Sequence, residues 1–211
     1  NSPQNLDWPH YGGQYDEAGY AALDQIDPRN VKRLGLAWSL DLPGEQSLEA
    51  TPLAVDGVLY FTGSFADVYA VSAATGKLLW KHEVRVWEFN PRKMHYIFPL
   101  NRGVAYADGR VFVGATDGRL IALDAKTGQR LWSVETVERG DRRTITGAPR
   151  VFKGKVVIGQ GGGDSGSSDR RHRRRDGRGW QKGGTARGAG GRHLFDPSAR
   201  KSPCPRGGCR R

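Results

Sequence analysis

The sequence predicts an all-β chain built as a β-propeller of four-stranded blades, about three of them, and three observations carry that reading. A unit running from Gly57 to Trp80 recurs from Gly109 to Trp132, with both the glycine and the tryptophan displaced by 52 residues. Turn dipeptides punctuate each unit: Asp-Gly at 56–57, 108–109 and 117–118, and Thr-Gly at 75–76 and 127–128. Between them lie short β-branched and aromatic runs that suit pleated, buried surfaces. Four short strands per period of about 40–50 residues are the mark of a propeller, in which each blade buries its faces against its neighbours. The alternative, an ordinary all-β sandwich, would make the dozen aligned positions coincidental.

Taken in order, residues 1–30 interleave aromatics with Gly, Asp and Pro and keep neither period 2 nor period 3.6. We read them as an ordered arm, because Trp8, Tyr11, Tyr15 and Tyr20 are costly to leave in water. The run Val31–Asp41 stops at a Pro-Gly turn and reads as a strand. Two complete units follow, each closed by a tryptophan expected to pack between adjacent blades. A third unit opens at Gly154-Lys-Val-Val-Ile-Gly and would close near residue 180, but its closing half is missing. From Ser165 onward the periodicity vanishes. The organisation is therefore a propeller portion over 1–164 and a basic, disordered tail over 165–211.

Charge divides at the same place. Residues 1–164 hold 19 basic and 19 acidic side chains, and 165–211 hold 14 and 3, so the net charge of +11 sits in the tail. Both cysteines, Cys204 and Cys209, are also there, and cysteine usage leaves the redox compartment of the body open. No run of about 18 apolar residues occurs, so no membrane span is expected. The chain begins at Asn1 without a secretory leader, which fits a mature or fragmentary N-terminus, or a cytosolic protein.

Three stretches carry a family resemblance: EATPLAVDG at 49–57, NRGVAYADGRVFVGATDGRLIALDAKTG at 101–128 and TITGAPRVFKGKVVIGQGGGD at 144–164. With DWPHYGG at 7–13 and NVKRLGLAWSLDL at 30–42, they resemble the pyrroloquinoline-quinone (PQQ)-dependent alcohol dehydrogenases, eight-bladed quinoprotein propellers of the bacterial periplasm. The resemblance implies PQQ-type blades, three of eight, a periplasmic location, and oxidation of a small alcohol by hydride transfer to PQQ. It implies cytochrome c as electron acceptor, calcium or another hard metal ion at the cofactor, and room for a haem c in a further C-terminal domain.

The resemblance also implies site residues. Glu49 matches a glutamate that hydrogen-bonds the quinone. Arg102 matches the arginine that pairs with the cofactor, a task its planar fork suits. Thr146 matches a threonine donating to a PQQ carboxylate. Gly161, Gly162 and Gly163 match a loop of small residues whose backbone approaches the ligand, and Asp164 stands where the family has a calcium-binding glutamate, a hard oxygen ligand of shorter reach. Taken singly, Glu49 reads equally as a solvated carboxylate, Arg102 as a surface cation, Thr146 as a strand end and Asp164 as a turn residue. Tyr96 and Ile97 occupy the place of two adjacent family cysteines, which leaves Tyr96 to stack on the cofactor. The family's catalytic aspartate matches no residue of this chain, so no catalytic residue is assigned. His10, His82 and His95 have no metal-ligand spacing.

The tail has two readings: a basic segment that binds nucleic acid through phosphates, or a reading frame lost after Asp164. We favour the second, since arginine codons read one base later give the Val, Ala, Asp, Glu and Gly of a blade strand. No nucleic-acid partner is therefore expected. Three blades leave a ring open, so the chain as written is expected to lack dehydrogenase activity. A non-catalytic scaffold built on similar repeats is the alternative, and it has no need of Glu49, Arg102 or the TGAP and GGGD motifs.

Overall fold

A computed structural model describes residues 7–21, 23–91, 98–138 and 143–161, together with the backbone of a short strand at His193–Phe195. Eleven strands form three antiparallel sheets among these residues. The first holds β1 (Leu53–Val55), β2 (Val58–Thr62), β3 (Val68–Ser72) and β4 (Leu78–His82) in that order. The second holds β5 (Val104–Ala107), β6 (Arg110–Gly114), β7 (Arg119–Asp124) and β8 (Arg130–Glu135) in the same order. The third sets β10 (Lys155–Ile158) between β9 (Arg150–Phe152) and β11 (His193–Phe195). The predicted repeat is thus two complete up-and-down blades and part of a third.

Local chemistry accounts for the hairpins. At the first turn of each complete sheet, Asp56-Gly57 and Asp108-Gly109 take φ of 50° and 73°, and 49° and 70°. Positive φ at both central residues is the twist-matched two-residue hairpin, which an Asp-Gly pair adopts most readily. Packing then follows from alternation along the strands. In β6, Val111 and Val113 turn toward the first sheet and join Tyr60, Val68 and Ala70 in one buried cluster. Phe112 between them turns the other way, to Val151 and Val156 of the third sheet. A sheet buried on both faces needs a continuous apolar run, and VFVG and LIAL supply it.

The tryptophans couple the blades as expected. Trp80, on the outer strand of the first sheet, lies against Gly128 in the Thr-Gly turn of the second and donates from Nε1 to Ala125 O at 3.0 Å. Trp38 repeats the contact one blade earlier, against Gly76, donating to Ala73 O at 2.9 Å.

Two sequence expectations are corrected. Val31–Asp41 is not a strand. Val31–Arg33 is a 3-10 turn, set by Asp27 and Asn30, each of which accepts the other's backbone N–H on its side chain at 3.2 and 2.9 Å. The residues beyond it find no partner strand among those described, and a strand needs a neighbour for its backbone groups. The arm is ordered, but not by tyrosine burial: Tyr11, Tyr15 and Tyr20 are more than half exposed. Backbone pairing fixes it, with Trp8 and Ala54 exchanging N–H···O bonds of 2.7 and 3.0 Å.

From there the arm crosses to the third sheet, where Glu17 pairs with Arg150 at 2.7 Å and Tyr15 meets Phe152 edge-on. Both partners of that ion pair are nearly half exposed. Glu17→Gln is therefore expected to cost less than about 1 kcal/mol in urea unfolding, and the difference should fade at about 1 M salt. The tail, expected to lack regular structure, has one exception among the described residues: His193–Phe195 pairs with β10, Val156 opposite Phe195. His-Leu-Phe is the apolar step of that segment, and β10 presents an open edge to it.

Candidate cofactor site

In an up-and-down sheet, the lead-in to the first strand and the exit from the second lie at one end. Glu49, Arg102 and Thr146 each precede the first strand of their sheet, and Gly161 follows β10. All four therefore share one end of the propeller, opposite the Asp56-Gly57 and Asp108-Gly109 turns.

The lead-in segments also touch one another. Arg102 and Thr146 are brought together twice: Arg102 N donates to Thr146 O at 2.8 Å, and Arg102 Nη1 to Thr146 Oγ1 at 2.9 Å. Thr144 and Gly161 exchange backbone bonds of 3.1 and 2.8 Å, placing Gly161 beside the threonine segment. At Gly103, φ 119°, a side chain would begin 3.2 Å from Thr51 O, so the Glu49 segment packs closely on the Arg102 segment. Glu49 itself is exposed and accepts from Ser47 Oγ at 3.2 Å. Gly162, Gly163 and Asp164, like Tyr96 and Ile97, lie outside the described residues.

What holds Arg102 in place is a residue the sequence reading passed over. Asn101 is 1% exposed and satisfies three neighbours. Its Oδ1 accepts from Gly103 N and Thr62 Oγ1, each at 3.0 Å, and its Nδ2 donates to Gly114 O at 2.8 Å. Gly114 in turn is where Ile145 packs, with no space for a Cβ between them. One buried amide thus links the first sheet, the Arg102 turn and the threonine segment. The signal was available in the repeat: Asn101 stands 52 residues after Glu49, and an asparagine just before a buried strand requires partners.

Electrostatically the site combines an exposed cation, Arg102, with an exposed carboxylate, Glu49. Among the described residues no carboxylate pairs with Arg102, whose guanidinium is exposed. Thr146 Oγ1 accepts from it and keeps its own proton to donate. Gly161 has nothing within 4 Å of where a side chain would begin. An exposed fork, a free hydroxyl proton and an unobstructed glycine backbone suit a flat ligand bearing carboxylate or quinone oxygens. PQQ is such a molecule, and these residues fit it. No cluster of three or more His, Cys, Asp or Glu able to hold a metal ion occurs among the described residues.

Residues 8–182 match the family described as the glucose/ethanol/alcohol dehydrogenase β-propeller domain, whose label is PQQ. The chain belongs to this PQQ dehydrogenase family. It is 50% identical over 162 residues to the quinohemoprotein alcohol dehydrogenase ADH-IIG of Pseudomonas putida, covering 75% of this chain and 22% of that one. It is 49% identical over 166 residues to a 1-butanol dehydrogenase (cytochrome c) of Thauera butanivorans, covering 76% and 23%. The solved quinohemoprotein alcohol dehydrogenase of Comamonas testosteroni superposes with a TM-score of 0.69 at 47% identity, covering 76% of this chain and 24% of that chain. A europium-containing methanol dehydrogenase superposes at 0.67 with 35% identity, over 74% and 28%. This member of the PQQ family therefore spans less than a quarter of the length of the curated relatives it matches.

Proposed function

We propose that this chain supplies one wall of the PQQ site of an alcohol dehydrogenase that passes electrons to cytochrome c in the periplasm. The observation that carries the reading is the Arg102 fork, without a carboxylate partner among the described residues, braced by Thr146 beside Gly161, in a chain of the PQQ dehydrogenase family. Bound PQQ would accept a hydride from the alcohol carbon.

The part played by these residues is binding and orientation. Arg102 offers its remaining donors to an anionic oxygen of the cofactor and stays charged throughout. Thr146 donates its hydroxyl proton to a carboxylate, and its lone pair holds Arg102 at the angle required. Glu49 accepts a hydrogen bond from the ligand's edge. The backbone of Gly161 comes close because no side chain intervenes, and Gly162 and Gly163, next in sequence, are proposed to serve in the same way. Asp164 is the proposed calcium ligand. The relatives named above are dehydrogenases, which does not favour the non-catalytic scaffold reading.

Titrating the chain with PQQ in the presence of calcium, followed by tryptophan fluorescence, tests the proposal. Arg102→Ala is expected to weaken binding by about 10- to 100-fold, the worth of one or two charge-assisted hydrogen bonds. Wild-type affinity no better than that of the variant would count against it.

A further inference from the structure

Glu49 lies on a segment with no strand of its own, and the first sheet holds that segment by side chains. The Ser64 hydroxyl accepts from Gln46 N at 2.7 Å and from Ser47 N at 3.1 Å. In return the Glu45 carboxylate accepts from Ser64 N on one oxygen and from the Tyr69 hydroxyl on the other. Ser47, fixed through its N–H, donates its hydroxyl to Glu49. Gly63 makes the arrangement possible, since the Glu45 carboxylate fills the place its side chain would take.

The receiving turn is itself held firmly. Phe65 and Ala66 both sit at positive φ, 57° and 74°, which non-glycine residues keep only when their surroundings impose it. Asp67 imposes it: its carbonyl accepts from Gly63 N at 2.8 Å, and its carboxylate takes Val84 N at 2.9 Å and Lys81 Nζ at 3.1 Å. Burial raises the pKa of Glu45, and the donors Tyr69 and Ser64 with the nearby Lys81 charge outweigh it, leaving the carboxyl below its ordinary range. Burial and the Glu45 acceptor push the Tyr69 phenol up to about 12.

The neighbouring blades show that this clamp is not a general feature of the repeat. At the matching positions of the second blade, Glu45, Ser47, Tyr69 and Lys81 become Ile97, Pro99, Ile121 and Ser133. Proline has no N–H to give, and the Thr116 hydroxyl, the counterpart of Ser64, is fully buried without a partner among the described residues. In the third sheet Gly161 stands in place of Ser64 and closes on Thr144 by backbone alone. A side-chain clamp is found where Glu49 is carried.

We propose that Glu45, with Ser64 and Tyr69, is a positioning residue that sets Glu49 for the cofactor. The inference rests on the PQQ reading above, and its test separates the two. In the full chain, Glu45→Ala and the milder Tyr69→Phe are compared with wild type by amide hydrogen exchange and by PQQ titration with calcium. Exchange at Gln46 and Ser47 should rise about 10-fold in Glu45→Ala, the loss of one or two part-buried hydrogen bonds that hold Ser64, with β6 and β7 unchanged. Tyr69→Phe should move the same amides less.

PQQ affinity should fall in Glu45→Ala, and in a Glu49→Ala background the Glu45 substitution should have no further effect, because it acts through Glu49. Additive losses would overturn the proposal, as would unchanged exchange at Gln46 and Ser47. If wild type binds no PQQ, the cofactor reading fails, and with it the role toward Glu49, while the exchange result still decides whether the clamp exists.

Discussion

Gly128→Ala is expected to destabilise the chain by about 3 kcal/mol, and Gly109→Ala by only about 1 kcal/mol. Both glycines have φ of 70°, so the left-handed strain of an alanine is common to both. They differ in surroundings. A Cβ at Gly109 meets nothing within 4 Å, whereas at Gly128 it would stand 2.6 Å from Cε3 of Trp80. That ring is anchored by its bond to Ala125 O and cannot retreat without giving up the bond or the packing between sheets. Urea unfolding followed by tryptophan fluorescence measures both variants. Equal losses would mean that the Thr-Gly turn does not need glycine to receive the tryptophan.

Asn101→Ala is expected to cost about 3 kcal/mol, since it strands Gly103 N and Gly114 O inside the protein and leaves Thr62 Oγ1 only its longer 3.4 Å bond to the Asn101 backbone carbonyl. The effect should extend beyond stability: with its turn unpinned, Arg102 loses its register to Thr146, and PQQ affinity falls with it. Asn101→Asp sharpens the test, because it preserves volume while setting a carboxylate oxygen against Gly114 O. At neutral pH it should be no more stable than the alanine variant. Below the carboxyl's pKa the added proton restores a donor, so its stability should recover on acidification while that of Asn101→Ala does not. A pH-independent Asn101→Asp variant would show that the amide donation to Gly114 is not what matters.

Much of this was legible from residue order. The displacement of 52 residues between Gly57 and Gly109 and between Trp80 and Trp132 gives the blades. The Asp-Gly pairs give the hairpins, because they impose φ values that few other pairs accept. The candidate site residues come by a different route, resemblance to a family, which says nothing of their mutual geometry. Nothing in the order of residues says that Arg102 donates twice to Thr146, 44 residues away, or that Asn101 is the piece that lets it. Pattern misled at Val31–Asp41, where a run stopping at a Pro-Gly turn read as a strand but no neighbouring strand stands among the described residues to complete it.

The sequence by itself determined the elements whose causes are local: strands from short β-branched and aromatic runs, turns from glycine and aspartate, and a tryptophan packed between blades from a fixed offset. Tertiary structure alone decided what depends on partners far along the chain. It set Glu49, Arg102, Thr146 and Gly161 at one end, buried Asn101 among three partners, and clamped Glu49's segment through Glu45, Ser64 and Tyr69. The physical reason is that a backbone conformation follows from a few neighbouring residues, whereas a hydrogen-bonded site depends on which polar groups packing brings within about 3 Å of one another.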